Sequence, residues 1–374
     1  MIAYANVIEN VEALYGVYAK VMDQHRACRQ AGIPLDFHVF SYNPSRFVPE
    51  GMHFHVLPQR AGKASKLYFQ AREIARTLSA YDVVVLRSLA WTPMYVLGMR
   101  QKAFRLITEH HTKQLGELLS GGRLVTWMVY AACKKGCLEL SDGVLGMTGE
   151  IVQDVLHGTG GQKPARAIPN GVEVESISRT GCASFDGTEL RLAFVASGLH
   201  PWHGLDRVVA GLNAYQGDTP IVLHLVGDMR ADQVPLANTR VKPCFHGVLQ
   251  RSQMDGVLAD MHLGISSMAV FRNRMRQACV LKSREYMARG LPFVYAYDDP
   301  DIDEDFPYCK KFPALEAGLE TSSLMEFARF IATRKQSSDV SGIMRAYALA
   351  RMDWKPKMRA LYDFAKQARQ EPGA

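Results

Sequence analysis

An α/β protein built of two Rossmann-like domains is predicted by three observations. Short apolar runs alternate with longer helical stretches from the first residue to about Ala296, the pattern of βαβ units and parallel sheets. At 374 residues the chain exceeds one ordinary core. The alternation also falls into two series, divided by a polar stretch at 173–188 that reads as loose. The seam is therefore expected at residue 172, and the cleft between two such domains is the expected ligand site.

In the first series, strands are expected at 2–5, 36–40, 53–57, 82–86, 105–108, 143–147 and 166–169. In the second they are expected at 191–196, 221–226, 242–246, 262–266 and 292–296. Most are brief runs rich in β-branched and aromatic residues, long enough to cross a sheet and short for a helix. Ile168-Pro169-Asn170-Gly171 is a turn signal, and its place between the two series makes it the seam. The last helical stretch spaces Trp354, Met358, Leu361, Tyr362 and Phe364 for packing along one face. Spacing alone does not choose the domain it packs on.

Hydrophobic residues make up 48% of the chain and charged residues 22%, the balance of a folded globular protein. No apolar run reaches the roughly 18–20 residues of a membrane span. Residues 1–6 enter a strand directly, so no secretory signal is expected. Seven cysteines are scattered without a C-x-x-C pair, which suggests neither a disulfide framework nor a zinc site and fits a reducing cytoplasm. A formal charge of +7 favours an anionic partner. The basic residues are dispersed and carry no zinc-finger, RNP-like or helix-turn-helix pattern, so nucleic acid is not expected. The apolar run 124–133, flanked by Arg123, Lys134 and Lys135, reads as a buried helix or, alternatively, as one lying on an anionic membrane face.

Residues 276–298 hold the densest chemistry: a loop, a helix bearing Lys282, Arg284 and Glu285, a break at Gly290, then a strand. Cations at a helix start suit an anion, and a carboxylate accepts from sugar hydroxyls. The alternative is an amphipathic helix with solvated charges. Residues 191–206 form a strand, a loop with Gly198 and Gly204, and a helix, so backbone N–H groups can approach an oxyanion. The spacing is not G-x-G-x-x-G, which disfavours a nicotinamide dinucleotide. His203 can donate to a phosphate. Gly16 opens another loop-to-helix run, with Lys20 and Gln24 on one helical face; a helix cap with a solvated lysine is the alternative.

Thr108-Glu109-His110-His111 follows a strand, where ligand sites of α/β proteins lie, so a histidine there can meet a phosphate or a hydroxyl. Adjacent histidines rarely converge on one ion, so metal is not expected. The acidic run 298–305 lacks the glycine and terminal glutamate of a calcium loop and reads as a solvated loop.

Taken in order, segments 168–172, 194–205, 223–228, 245–248 and 281–294 resemble the second domain of GT-B glycosyltransferases of the large family 4 type, a retaining group that uses nucleotide sugars. The likeness covers residues 165–300 well and the first domain loosely. It implies a GT-B fold, with the nucleotide sugar held mainly by the second domain, 173–353, and the acceptor by the first. It also implies that the terminal helix crosses back, so that residues 354–374 join 1–172. Glu285 matches the family's ribose-binding carboxylate. The glutamate that handles the donor sugar, eight residues earlier, is Gln277 here. Ser197 and His203 stand where an arginine and a lysine usually meet the diphosphate, and Lys282, Arg274 or Arg276 would supply the missing charge.

The chemistry so implied is transfer of a sugar from a nucleoside-diphosphate sugar to a saccharide or lipid-linked acceptor, with retention, in bacterial-type surface polysaccharide or glycoconjugate synthesis. Its main task is stabilising charge on the departing diphosphate. That falls to Lys282, His203 and the backbone around Gly16 and Gly198, with Glu285 on the ribose, Gln277 on the sugar and His110 at the reacting face. Ser197, Gly204, Arg276 and Arg284 complete the expected donor site, and Lys20, Glu109 and His111 the acceptor side. No metal or cofactor is expected beyond the nucleotide-sugar co-substrate. The expected setting is cytoplasmic, with peripheral attachment to an anionic inner membrane face. A non-catalytic or weakened partner subunit, or a GT-B nucleotide-sugar epimerase, is the alternative.

Overall fold

The computed structural model describes residues 1–12, 15–157 and 163–370. The chain divides into two units, Met1–Pro169 with Trp354–Ala374, and Asn170–Asp353. Parallel strands have both faces covered, so their sequences run apolar instead of alternating. β1 (Ile2–Val7), β2 (Asp36–Ser41), β3 (Met52–Val56), β4 (Val83–Arg87), β5 (Arg105–His110), β6 (Gly143–Gly146) and β7 (Ala165–Ala167) form the first sheet. All pair in parallel, in the order β3-β2-β1-β4-β5-β6-β7. Its helices are α1 (Tyr15–Gln30), α2 (Lys63–Thr77), α3 (Pro93–Met99), α4 (Gln114–Ser120), α5 (Leu124–Glu139) and α6 (Gly149–Leu156).

The second sheet is also parallel and contains β8 (Leu190–Val195), β9 (Ile221–Val226), β10 (Val241–Gly247), β11 (Leu263–Ile265), β12 (Phe293–Tyr295) and β13 (Cys309–Lys311). Its order is β10-β9-β8-β11-β12-β13. The helices that follow are α7 (Leu205–Asn213), α8 (Arg251–Ala259), α9 (Leu281–Arg289), α10 (Thr321–Lys335), α11 (Val340–Arg351) and α12 (Trp354–Gln370). In each sheet the order reverses once, between β1 and β4 and between β8 and β11. The carboxyl ends at such a reversal are where α/β proteins bind ligands.

The terminal helix α12 belongs to the first unit. Trp354, Met358, Leu361, Phe364, Ala365 and Ala368 sit in one buried cluster with Tyr18, Val21 and Cys28 of α1 and with Tyr4, Val85 and Ile107 of the sheet. Burying a large apolar side chain contributes roughly 1.5–3 kcal/mol, which is what ties the chain's end to its beginning.

Four expectations need correction. β13 was missed, because Cys309-Lys310-Lys311 is a short, polar edge strand without an apolar signal. Stretch 173–188 is not loose: Val174, Ile177, Cys182 and Phe185 are buried. The acidic run is not simply solvated, because Asp299 and Asp301 are buried and bonded to Arg284. Helix α5 is not a buried helix along its first half: Leu124, Val125, Met128 and Val129 are 59, 72, 55 and 40% exposed. Among the described residues, no helix is long and apolar enough to cross a membrane.

Candidate functional site

The second unit gathers its donors at the end of β8. The chain leaves the strand at Val195, turns through 197–200 and makes one 3-10 turn at Pro201–His203 before α7. Gly204 is left-handed, at φ 70° and ψ 32°. A Cβ there would lie 2.8 Å from the Met268 Cβ and 3.0 Å from the Ala269 nitrogen, so geometry and space both require glycine. Gly198 has open space around it, and its backbone makes no such demand. Ser197 is exposed beside it.

His203 is buried, and its Nδ1 accepts from the His200 backbone N–H at 3.3 Å. Burial, then the charges of Lys282 and His200, push its pKa down to about 2. The ring is therefore neutral at physiological pH, with its proton on Nε2 as a donor.

Lys282 lies in the first turn of α9, which opens at Val280 without a capping side chain. Its ammonium is buried with no hydrogen-bond partner and stands 4.5 Å from the centre of the Phe194 ring. Burial pulls its pKa down to about 7. A buried cation without a partner is costly, and here the aromatic face offsets only part of the lost hydration. Lys282, the His203 N–H and the open start of α9 offer donors and no acceptor. Such a set suits an anionic oxygen.

Arg284, expected among the donor-binding residues, is not brought together with this group. Its side chain is fully buried, bonded to both Asp299 oxygens and to Asp301 Oδ2 at 2.8 Å. Its Nε donates to the Asn170 carbonyl at 3.1 Å. With these partners the guanidinium ties the seam to the acidic loop. Glu285, one residue on, is half-buried, and its Oε2 accepts from Arg289 at 3.1 Å. Gln277 is half-buried in the preceding loop, where the backbones of Arg276 and Ala278 pair with Asp298 at 2.8 and 3.0 Å. The Arg276 side chain is exposed. Arg274 is the one non-glycine among the described residues with a left-handed backbone, at φ 57°, a conformation that costs energy and tends to occur at functional loops.

In the first unit, Thr108-Glu109-His110-His111 does not act as one group, because successive strand side chains point to opposite faces. His110 turns to Thr108 Oγ1 at 3.0 Å and to the Trp91 ring, and burial lowers its pKa to about 3. Glu109 turns the other way, accepting from Tyr4 Oη at 2.8 Å and meeting His111 Nε2 at 2.9 Å. Lys20 Nζ reaches His111 Nδ1 at 3.4 Å, so the solvated alternative for Lys20 does not hold: it is buried, and near the Trp354 ring. Gln24 completes the chain of contacts at Tyr4 Oη, 3.3 Å away. Gly16 is the exposed second residue of α1.

Burial raises the Glu109 carboxyl, but His111, Lys20 and Tyr4 outweigh it and hold it at about 2. Burial and Lys20 lower His111 to about 3, so at neutral pH a neutral imidazole links Lys20 to the carboxylate. Because the Glu109 pKa is depressed, its contribution to stability is present above its ordinary 4.5 and lost as pH falls towards 2. Glu109→Gln is expected to lower stability at pH 7 by about 1–3 kcal/mol. Thermal unfolding of the variant from pH 7 to pH 2 should also show a shallower acid limb than the wild type.

Sequence reasoning missed Phe194, Tyr4 and the buried hydroxyl group Ser266, Ser283 and Tyr297, where the two serine oxygens lie 2.6 Å apart. These residues carry no signal of their own. Only the fold brings Ser283, next to Lys282, against two residues distant in the chain.

Two parallel Rossmann-like sheets, with the last helix packed on the first unit, define the GT-B fold. Solved structures of that class align over nearly the whole chain. A glycosyltransferase from Rickettsia africae ESF-5 matches over 99% of this chain and 99% of its own, at 12% identity and a TM-score of 0.66. Sucrose-phosphate synthase from Thermosynechococcus elongatus matches over 98% and 99%, at 12% identity and a TM-score of 0.68. HepE of Anabaena, in complex with UDP-glucose, matches over 98% and 99%, at 12% identity and a TM-score of 0.65. At such identities the likeness is one of fold. No protein-family model matches the sequence, and no curated protein matches it.

Proposed function

We propose that the protein is a glycosyltransferase that moves a sugar from a nucleoside-diphosphate sugar to a saccharide or lipid-linked acceptor, with retention. The observation that carries this is Lys282, a buried ammonium without a partner at the start of α9, beside the His203 donor. A diphosphate supplies the missing counter-charge, and the charge growing on it as the sugar departs strengthens the same contacts. Glu285 accepts from the ribose, Gln277 bonds the sugar, and Arg276 adds charge from the rim. The acceptor is assigned to the first unit near Lys20, Glu109 and His111. Fixed donors do the work on the diphosphate without a metal in this scheme. HepE was solved with UDP-glucose, and a pneumococcal O-GlcNAc transferase with UDP and GlcNAc, so UDP is the nucleotide to try first.

Calorimetry with UDP and turnover of UDP-sugars, on wild type and Glu285→Ala, test the reading. Binding and turnover that both fall in the variant support it; absence of UDP binding by the wild type overturns it. UDP binding without turnover of any donor would instead favour a non-catalytic partner subunit, the reading that uncharged Gln277 favours. Product anomers read by NMR decide retention.

Attachment to an anionic membrane face, as part of surface glycoconjugate synthesis, belongs to the same proposal. It is supported by the stripe Leu124, Val125, Met128 and Val129, exposed on α5, with exposed Arg123 and Lys135 at its two ends. Apolar residues enter the headgroup boundary while cations meet lipid phosphates. The wild type is expected to sediment with phosphatidylglycerol vesicles at low salt, and the double variant Val125→Glu/Met128→Glu to remain in the supernatant. Equal sedimentation of the two would remove α5 from the contact.

A further inference from the structure

We propose that His224, Cys244 and His246 form a site for a borderline transition-metal ion, zinc foremost, on the outer strands of the second unit. The strand register makes the cluster. β10 runs parallel to β9 at the sheet edge, with Cys244 opposite His224. The register shifts between Phe245 and Gly247, a bulge centred on His246, and there the side chains of Cys244 and His246 come together with that of His224.

The nitrogen–sulfur spacing is what a tetrahedral ion would hold, and the two nitrogens stand about 0.4 Å closer than one would set them. Bonds of ~2.0–2.1 Å to nitrogen and ~2.3 Å to sulfur place two nitrogens about 3.3 Å apart, and nitrogen and sulfur about 3.6 Å apart. Here His224 Nδ1 and His246 Nε2 are 2.9 Å apart, and Cys244 Sγ and His246 Nε2 are 3.6 Å apart. All three ligand atoms lie within 4.8 Å of one another. His224 Nδ1 and Cys244 Sγ both converge on His246 Nε2, which has a single lone pair or proton to offer a hydrogen bond. A cation accepts a lone pair from all three.

Two imidazoles and a thiolate suit zinc better than calcium or magnesium. Three protein ligands leave one coordination place for water or an outside ligand. Arg191 and Asp260 are the other charged groups acting on His224, and they act in opposite directions. Binding forms two nitrogen–metal bonds and one sulfur–metal bond, and sends the thiol proton to solvent. The ion would clip edge strand β10 to β9, and it uses none of the residues assigned to the donor.

The test takes the tag-free full chain, stripped with a chelator and titrated with zinc or cobalt(II). One ion per chain is expected, with a thiolate-to-cobalt charge-transfer band and a higher melting temperature. Cys244→Ser and His246→Ala should each weaken binding by roughly 100-fold, and Cys133→Ser, at a half-buried thiol outside the cluster, should leave it unchanged. Should either ligand variant fail to fold, X-ray absorption at the zinc edge of the wild type decides, with one sulfur and two imidazoles expected. No binding at micromolar zinc, binding indifferent to both substitutions, or a metal shell without sulfur overturns the site.

Discussion

Lys282→Met is expected to make the protein more stable and much less active. Methionine keeps most of the side chain's volume and its contact with Phe194 while removing the buried, unpartnered charge. Relief of that burial should raise stability at pH 7 by about 1–3 kcal/mol, measured by urea unfolding. Turnover of a UDP-sugar should fall ~100-fold or more, the scale on which a single charge-stabilising donor acts.

The pH dependence carries the sign of the same effect. Burial puts the Lys282 pKa at about 7, below its ordinary 10.5. Between those values the unfolded chain holds a proton that the folded one lacks, so wild-type stability rises with pH across that window. In the methionine variant this component is absent. A diphosphate needs the protonated ammonium, so UDP affinity in the wild type should fall about tenfold per pH unit above pH 7 and stay flat in the variant. Unchanged UDP binding in Lys282→Met, with no gain in stability, would remove Lys282 from the donor site.

Arg284→Ala is expected to be the most destabilising single change near the site. It strands Asp299 and Asp301 without their counter-charge, in a place where burial already pushes the Asp299 carboxyl upward. Breaking a buried pair from one side costs about 3–5 kcal/mol, against marginal stability that would leave little folded protein at 37 °C. Adding Asp299→Asn and Asp301→Asn should recover much of the loss. An arginine that bound the donor would behave differently: its alanine variant would fold normally and lose UDP affinity. Urea midpoints of the single and triple variants separate the two roles.

Much of the fold was legible because parallel strands bury both faces and so read as apolar runs. Twelve strands were expected within a few residues of where they lie, and the thirteenth, Cys309–Lys311, escaped because an edge strand tolerates lysines. The site was legible only in part. Lys282 and His203 were singled out as cations or donors near loops, but their adjacency to Phe194, and the isolation of the ammonium, depend on how β8 and α9 stack. Arg284 and Lys282 are two residues apart on one helix and look alike in sequence. Helical spacing turns them to different surroundings, one to a carboxylate pair and the other to an aromatic face. Likewise Glu109 and His110 are neighbours in the chain and point to opposite faces of β5.

The amino-acid sequence by itself determined the two parallel α/β series, the seam near residue 170 and the glycine turn before α7. Each of these follows from local periodicity or from a backbone that only glycine fits. The tertiary structure alone decided which charges are used up and which remain available. It paired Arg284 with two aspartates, joined Lys20 to Glu109 through His111, and left Lys282 buried without a partner. Charge pairing depends on which side chains share a low-dielectric space, and that is set by contacts between residues far apart in the chain.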